Sequence, residues 1–85
     1  MTDVEAERAQ RLEAIGVLTR SAAHDLNNQM AAILTFAELV LEVLPDGHPA
    51  REDLEEIRSA GLRAVARTRE LDQLARQLAP IGQAA

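Results

Sequence analysis

The chain lacks cysteine, lysine, tryptophan and tyrosine, and Phe36 is its only aromatic residue. Without cysteine it forms neither disulfides nor thiolate metal sites. It also lacks a basic cluster, because its nine arginines are spread among fourteen acidic residues and the net charge is −5. Proteins that bind nucleic acids combine basic patches with aromatic residues that stack on bases. These absences therefore argue against a nucleic-acid partner.

Long hydrophobic runs are missing as well. No stretch approaches the roughly 20 apolar residues of a membrane-spanning helix, and no signal-peptide pattern opens the chain. We therefore expect a cytoplasmic protein without direct membrane contact. Three prolines and four glycines among 85 residues leave few places for turns, so the elements must be long. The length suits one small domain over residues 1–85.

The one strong turn signal is "LPDGHPA", residues 44–50. Its two prolines, aspartate and glycine are incompatible with a continuing helix, whereas the segments on either side are rich in alanine and leucine and favour helices. The sequence therefore predicts an all-α fold, an antiparallel αα-hairpin. Helix 1 is predicted over about residues 4–43, the turn at about 44–49 and helix 2 over about 50–79.

Apolar residues recur at spacings of three and four in both halves of the chain, which indicates buried helix faces. They are Leu12, Ile15, Ala22, Leu26, Met30, Ile33, Ala37, Val40 and Leu44 in helix 1, and Leu54, Ile57, Gly61, Ala64, Thr68, Leu71, Ala75 and Leu78 in helix 2. Further leucines and valines widen both stripes beyond what one partner helix covers. Since burial is worth roughly 25 cal/mol per Å² of apolar area, we predict a homodimeric four-helix bundle. The alternative is a monomeric hairpin from a larger helical protein.

A polar cluster lies within helix 1, in "SAAHDLNNQMAAIL", residues 21–34. At 100° per residue from Leu26, His24 lies at about 160° and Asn28 at about −160°, almost opposite the apolar stripe. Asp25 lies to one side. The simplest interpretation is an exposed histidine without a role. A metal site is disfavoured because the other histidine, His48, is roughly 35 Å away in the turn.

A chemical role for the histidine is nucleophilic attack. A neutral imidazole attacks phosphoryl groups at physiological pH, and the carboxylate of Asp25 is a plausible proton acceptor beside it. Asn28, one helical turn further on the same face, is placed to position a water molecule or a phosphoryl oxygen. These residues alone leave this interpretation open.

The same residues resemble the dimerisation and histidine-phosphotransfer domain of bacterial sensor histidine kinases. The similarity covers about residues 8–78. "LEAIG", residues 12–16, is similar to the lead-in of one branch of that family, and "HDLNN", residues 24–28, is similar to its His-Asp-Phe-Asn-Asn box. Gln29 stands where a larger branch has proline, so a proline kink is not expected in helix 1.

The resemblance implies roles for the matched positions. His24 would accept the γ-phosphoryl group of ATP and pass it to an aspartate on a response-regulator receiver domain, Asp25 would assist as acid or base, and Asn28 would position water when the receiver is dephosphorylated. The residues implied to contact the receiver are Asn27, Ala31, Thr35 and Glu38. ATP and magnesium would be bound by a separate kinase domain, so this chain alone should bind no cofactor or metal and should not autophosphorylate.

Three interpretations of the function remain open at this point. The chain is expected to be an excised module of a larger kinase. A stand-alone dimeric phosphorelay intermediate would use the same histidine chemistry without ever having had an ATP-binding domain. A purely structural dimerising hairpin would carry no phosphoryl group, and the substitution His24→Ala would then change stability by only about 0.5 kcal/mol or less.

Overall fold

The computed structural model describes residues 2–84, and the side chains of residues 2–78. Two antiparallel α-helices, α1 (Asp3–Val43) and α2 (Ala50–Ala84), make up nearly all of this range, in a rod of 66 × 14 × 13 Å. The described residues contain no strand. The predicted all-α hairpin is confirmed. Residues 1 and 85, the predicted limits of the domain, lie outside the described residues.

Local signals place the two ends of α1. The hydroxyl of Thr2 accepts a hydrogen bond of 3.2 Å from the backbone N–H of Glu5, which satisfies one of the free donors at the helix start. At the other end, Leu44 adopts an extended conformation and caps the helix through a 3.0 Å bond to the carbonyl of Val40. A proline disfavours helical geometry in the residue before it, so Pro45 fixes this end.

The turn reverses the chain through a short set of hydrogen bonds. Gly47 has a φ of 80°, a left-handed conformation that glycine adopts without steric cost. His48 caps the start of α2, because its Nδ1 accepts the backbone N–H of Ala50 at 3.0 Å. The guanidinium of Arg51 donates to the carbonyl of Leu41 at 3.2 and 3.1 Å, which ties the start of α2 to the end of α1.

The second helix continues past its predicted end near residue 79 to Ala84. Pro80 directly follows that predicted end. A proline within a helix removes one backbone hydrogen bond, and its ring clashes with the carbonyl group four residues before it, but its fixed φ is one that a helix accepts. Here the cost falls near the end of a long helix, and the backbone remains helical.

The helices meet along a seam of mostly small residues. Its buried members are Ala9, Gly16, Ala23, Ala37 and Leu41 on α1, and Gly61, Thr68 and Ala75 on α2. Small side chains let the two backbones approach closely, and this explains why the seam does not follow the larger aliphatic residues.

The seam is rotated about 60° around α1 from the stripe that periodicity indicated. Leu26, at the centre of that stripe, is 42% exposed, and Ile33 is 43% exposed. The prediction that both are buried was wrong for the single chain, because α2 covers only one edge of a broad apolar face. The uncovered part lines an open depression that we call the apolar flank. Its residues include Ile33, Phe36, Val40, Leu54 and Ile57.

Gly61 gives a test of the close packing. A Cβ atom at this position would lie 2.8 Å from Cδ2 and 3.1 Å from Cγ of Leu34. Gly61→Ala gains about 1 kcal/mol of helix propensity, but overpacking forces the end of the flexible Leu34 side chain to shift, so we expect the substitution to stabilise the protein by less than that amount. Adding Leu34→Ala to Gly61→Ala should remove the overpacking, and the two substitutions should then be non-additive in a double-mutant cycle measured by chemical denaturation. Strict additivity would contradict the contact.

Candidate functional site

His24 lies in the middle of α1 with an exposed side chain. Ile33, in the apolar flank, follows it by nine positions, which corresponds to about 180° around the helix. The histidine and the apolar flank therefore occupy opposite sides of α1. A second copy that covers the apolar flank leaves the histidine open.

A shallow groove between the two helices contains His24, and we call it the His24 groove. Both helices contribute polar side chains to it. Those that bear on its chemistry are Arg20, His24 and Asn27 from α1, and Thr68, Arg69, Asp72 and Arg76 from α2.

Asp72 forms ion pairs with two arginines of the groove. Its Oδ1 lies 3.5 Å from Nε of Arg20 on the other helix, and its Oδ2 lies 2.9 Å from Nε of Arg76 one turn along α2. The Asp72 side chain is 31% exposed. Exposed ion pairs add little to stability, typically about 0–1 kcal/mol. In this structure the contact brings both guanidinium groups to the same carboxylate.

Asn27 and Thr68 form a polar contact inside the seam. The hydroxyl of Thr68 donates to Oδ1 of Asn27 at 2.6 Å, and it also lies 2.9 Å from the carbonyl of Val65. Thr68 is only 7% exposed, and polar groups at this depth require hydrogen-bond partners. Asn27 thus lies between the helices, whereas the other three residues expected to contact a receiver face outward. Its contact with a receiver stays a prediction.

The two other residues expected to act in chemistry are exposed and lie outside the His24 groove. Asn28 is about 40° from His24 around the helix and one turn further along, so the two side chains share a face. Asp25 is about 100° from His24 and points towards the side of the apolar flank. The structure therefore brings Asn28 nearer to the face of His24 than it brings Asp25.

The outward face continues beyond His24 towards the turn, through Ala31, Thr35 and Glu38, all exposed. The hydroxyl of Thr35 donates to the carbonyl of Ala31 at 2.8 Å, so its hydrogen is used within the helix. Glu38 pairs with Arg58 of α2 at 3.4 Å. This face therefore presents small and neutral groups next to one charged pair that spans the helices.

Sequence reasoning missed Arg20, Thr68 and Asp72 as neighbours of the histidine. A usable signal was present in the hairpin itself. Contacts between the helices pair residues at nearly equal distances from the turn, as Asn27 with Thr68 and Glu38 with Arg58 do. With Gly47 as the centre of the turn, counting along the chain predicts which region of α2 lies opposite His24. Counting does not predict which side chains of that region enter the groove.

The sequence matches a known protein family over most of its length. A family model described as "His Kinase A (phospho-acceptor) domain" matches residues 14–80, a range that includes most of both helices and the whole turn. No solved structure matches the chain. Neither helix, over the described residues, contains a segment long and apolar enough to span a membrane. In the same range no group of three acidic or histidine side chains converges to hold a metal ion.

Proposed function

Because the chain belongs to the His Kinase A (phospho-acceptor) domain family, we propose that His24 is the residue that carries its phosphoryl group. One observation carries the proposal: His24 is exposed in mid-helix, on the side of α1 opposite the apolar flank. The only other histidine, His48, uses Nδ1 to cap α2. We also place the chain in the His-Asp-Phe-Asn-Asn branch, with Leu26 in place of phenylalanine.

The proposed reaction has two steps. An imidazole nitrogen of His24 attacks the γ-phosphorus of ATP held by a separate kinase domain with magnesium. The bond from phosphorus to the bridging oxygen breaks, ADP leaves, and the imidazole proton passes to a base, for which Asp25 is the candidate. A carboxylate oxygen of a receiver aspartate then attacks the same phosphorus, and the bond from nitrogen to phosphorus breaks.

The receiver is proposed to dock on the outward face of α1. Ala31, Thr35 and Glu38 extend this face from His24 towards the turn. A second copy on the apolar flank would lie on the opposite side, so dimerisation and docking do not compete for the same surface. Asn27 would contribute from the edge of the seam.

The experiment that tests the proposal mixes the chain with ATP, magnesium and the ATP-binding domain of a histidine kinase. Acid-labile phosphate should appear on the chain and should then move to a receiver domain added afterwards. If no label appears, while a known histidine domain is phosphorylated by the same preparation, the function is wrong and the chain is a structural hairpin.

Asn28 gives a prediction about the dephosphorylation of the receiver. Asn28→Ala should slow dephosphorylation of a phosphorylated receiver by at least roughly tenfold, since the side chain that positions the attacking water is lost. Phosphorylation of His24 should change little, and it serves as the control in the same samples. Phosphate release from the receiver, measured with wild type and with Asn28→Ala at equal concentration, tests this prediction. An equal loss of both activities would instead indicate damage to the helix.

A further inference from the structure

The charge around His24 is opposite in sign to that of the chain as a whole. The chain carries a net charge of −5. Among the described residues, the His24 groove is lined by Arg20, Arg69 and Arg76 but by a single carboxylate, that of Asp72. A positive groove on an acidic protein concentrates anions locally.

The arginines keep donors available despite the ion pairs. A guanidinium group has five N–H donors, and Asp72 engages Arg20 and Arg76 through their Nε atoms. The Arg20 side chain is 47% exposed and that of Arg76 is 63% exposed. Arg69 forms no ion pair with the side chains of residues 2–78.

We propose that the arginines of the His24 groove bind the phosphoryl group as it reaches His24 and while it remains there. This inference rests on the proposed function of His24. A phosphoryl group brings three acceptor oxygens and close to two negative charges, and guanidinium groups bind such oxygens in pairs. Arg20 precedes His24 by four residues, one helical turn, so both lie on one side of α1.

We expect Asp72 to affect how the arginines bind the phosphoryl group. Its carboxylate competes with the phosphoryl group for Arg20 and Arg76, because all of these contacts use the same guanidinium groups. When His24 is unmodified, Asp72 holds the two arginines beside the groove. When an anion enters, they exchange part of this contact for the phosphoryl oxygens.

The test uses the whole chain and phosphoramidate, a small anionic phosphoryl donor that needs no kinase domain. An imidazole nitrogen attacks the phosphorus, the phosphorus–nitrogen bond of the reagent breaks, and ammonia leaves with the displaced proton. The rate of labelling is followed by intact mass and by ³¹P NMR. Labelling of the His24→Gln variant reports His48 and is subtracted.

Arg20→Gln and Arg69→Gln should each slow labelling of His24 roughly three- to tenfold, because each removes a charge-assisted donor from a partly exposed site. They should also shift the ³¹P resonance of the phosphohistidine. Asp72→Asn should act in the opposite direction and accelerate labelling. The matched control is Arg67→Gln, on the same helix as Arg69. Arg67 is 80% exposed, pairs with Glu70 and does not line the groove.

Different results would contradict the arginine binding, the role of the ion pair and the proposed function of His24. If Arg20→Gln and Arg69→Gln label at the rate of Arg67→Gln, with the same ³¹P shift, the arginines do not bind the phosphoryl group and the inference is wrong. If Asp72→Asn slows labelling as much as Arg20→Gln does, the ion pair only aligns the helices. If the kinase domain labels neither wild type nor variants, the proposed function of His24 itself fails. Thermal melting of each variant by circular dichroism confirms that the helices are retained.

Discussion

His24→Gln is expected to abolish phosphorylation by ATP and a histidine-kinase ATP-binding domain, with a loss of at least roughly a hundredfold in acid-labile label. The physical reason is that the glutamine amide nitrogen donates its lone pair into the carbonyl group and is not a nucleophile. Glutamine is otherwise a mild change at this position, because the side chain is exposed and glutamine is a good helix former. Loss of label therefore reports chemistry rather than unfolding.

The matched control for this prediction is His48→Gln. His48 is the only other histidine in the chain, and it lies in the turn, where Nδ1 accepts the N–H of Ala50. Its replacement should weaken the cap of α2, at a cost of about 1 kcal/mol, and should leave labelling unchanged. Label that persists in His24→Gln and disappears in His48→Gln would transfer the proposed role to the turn.

Ile33→Glu is expected to convert a dimer into a monomer. Ile33 lies in the apolar flank and is 43% exposed in the single hairpin, next to Phe36 at 67%. Membership of a family of dimerisation and phosphoacceptor domains makes a second copy the expected cover for this surface. In a four-helix bundle the glutamate would be buried without a partner charge, at a cost of about 3 kcal/mol or more in each copy, which weakens association more than about a hundredfold.

Sedimentation equilibrium measures this directly, because the chain mass is 9.3 kDa and a dimer has twice that mass. Ala31→Glu is the matched control. It adds the same charge to the same helix, at an exposed position on the outward face, and it should leave the dimer intact. If Ala31→Glu dissociates the protein and Ile33→Glu does not, the interface lies on the face of His24 and the separation of the two surfaces is wrong.

The Ile33→Glu monomer should still be phosphorylated at His24. The His24 groove is formed by α1 and α2 of one chain, so it does not require the second copy. Chemical labelling of His24 by phosphoramidate should therefore persist in a monomer that keeps its hairpin. A monomer that is unfolded by circular dichroism would show that the second copy is needed for the helices themselves.

The sequence by itself determined the hairpin and the direction of the histidine. "LPDGHPA" is the one segment with two prolines and a glycine close together, so the reversal has only one place to occur. The spacing of apolar residues by threes and fours specifies helices on both sides. The angle of about 160° between His24 and Leu26 follows from helical geometry alone, and the structure places the histidine on the exposed side accordingly.

The tertiary structure decided which edge of each apolar face is buried and which side chains surround the histidine. Periodicity centred the buried face of α1 on Leu26, but close approach of the helices follows the small residues, including Ala23 and Gly61. Larger aliphatic residues such as Ile33 and Val40 were therefore left on the apolar flank. Hydrophobic spacing does not distinguish burial within one chain from burial between two, because both remove the same apolar area from water.

The neighbours of His24 depend on the register of the hairpin. Thr68 is 41 positions from Asn27 along the chain, and a change in the turn would bring different residues of α2 to the same height. The register is fixed by the turn, where Gly47 takes a positive φ and Arg51 bonds to the end of α1. Because these contacts form only when both helices are in place, no local pattern in the sequence predicts that Asp72 of α2 meets Arg20 of α1 beside the histidine.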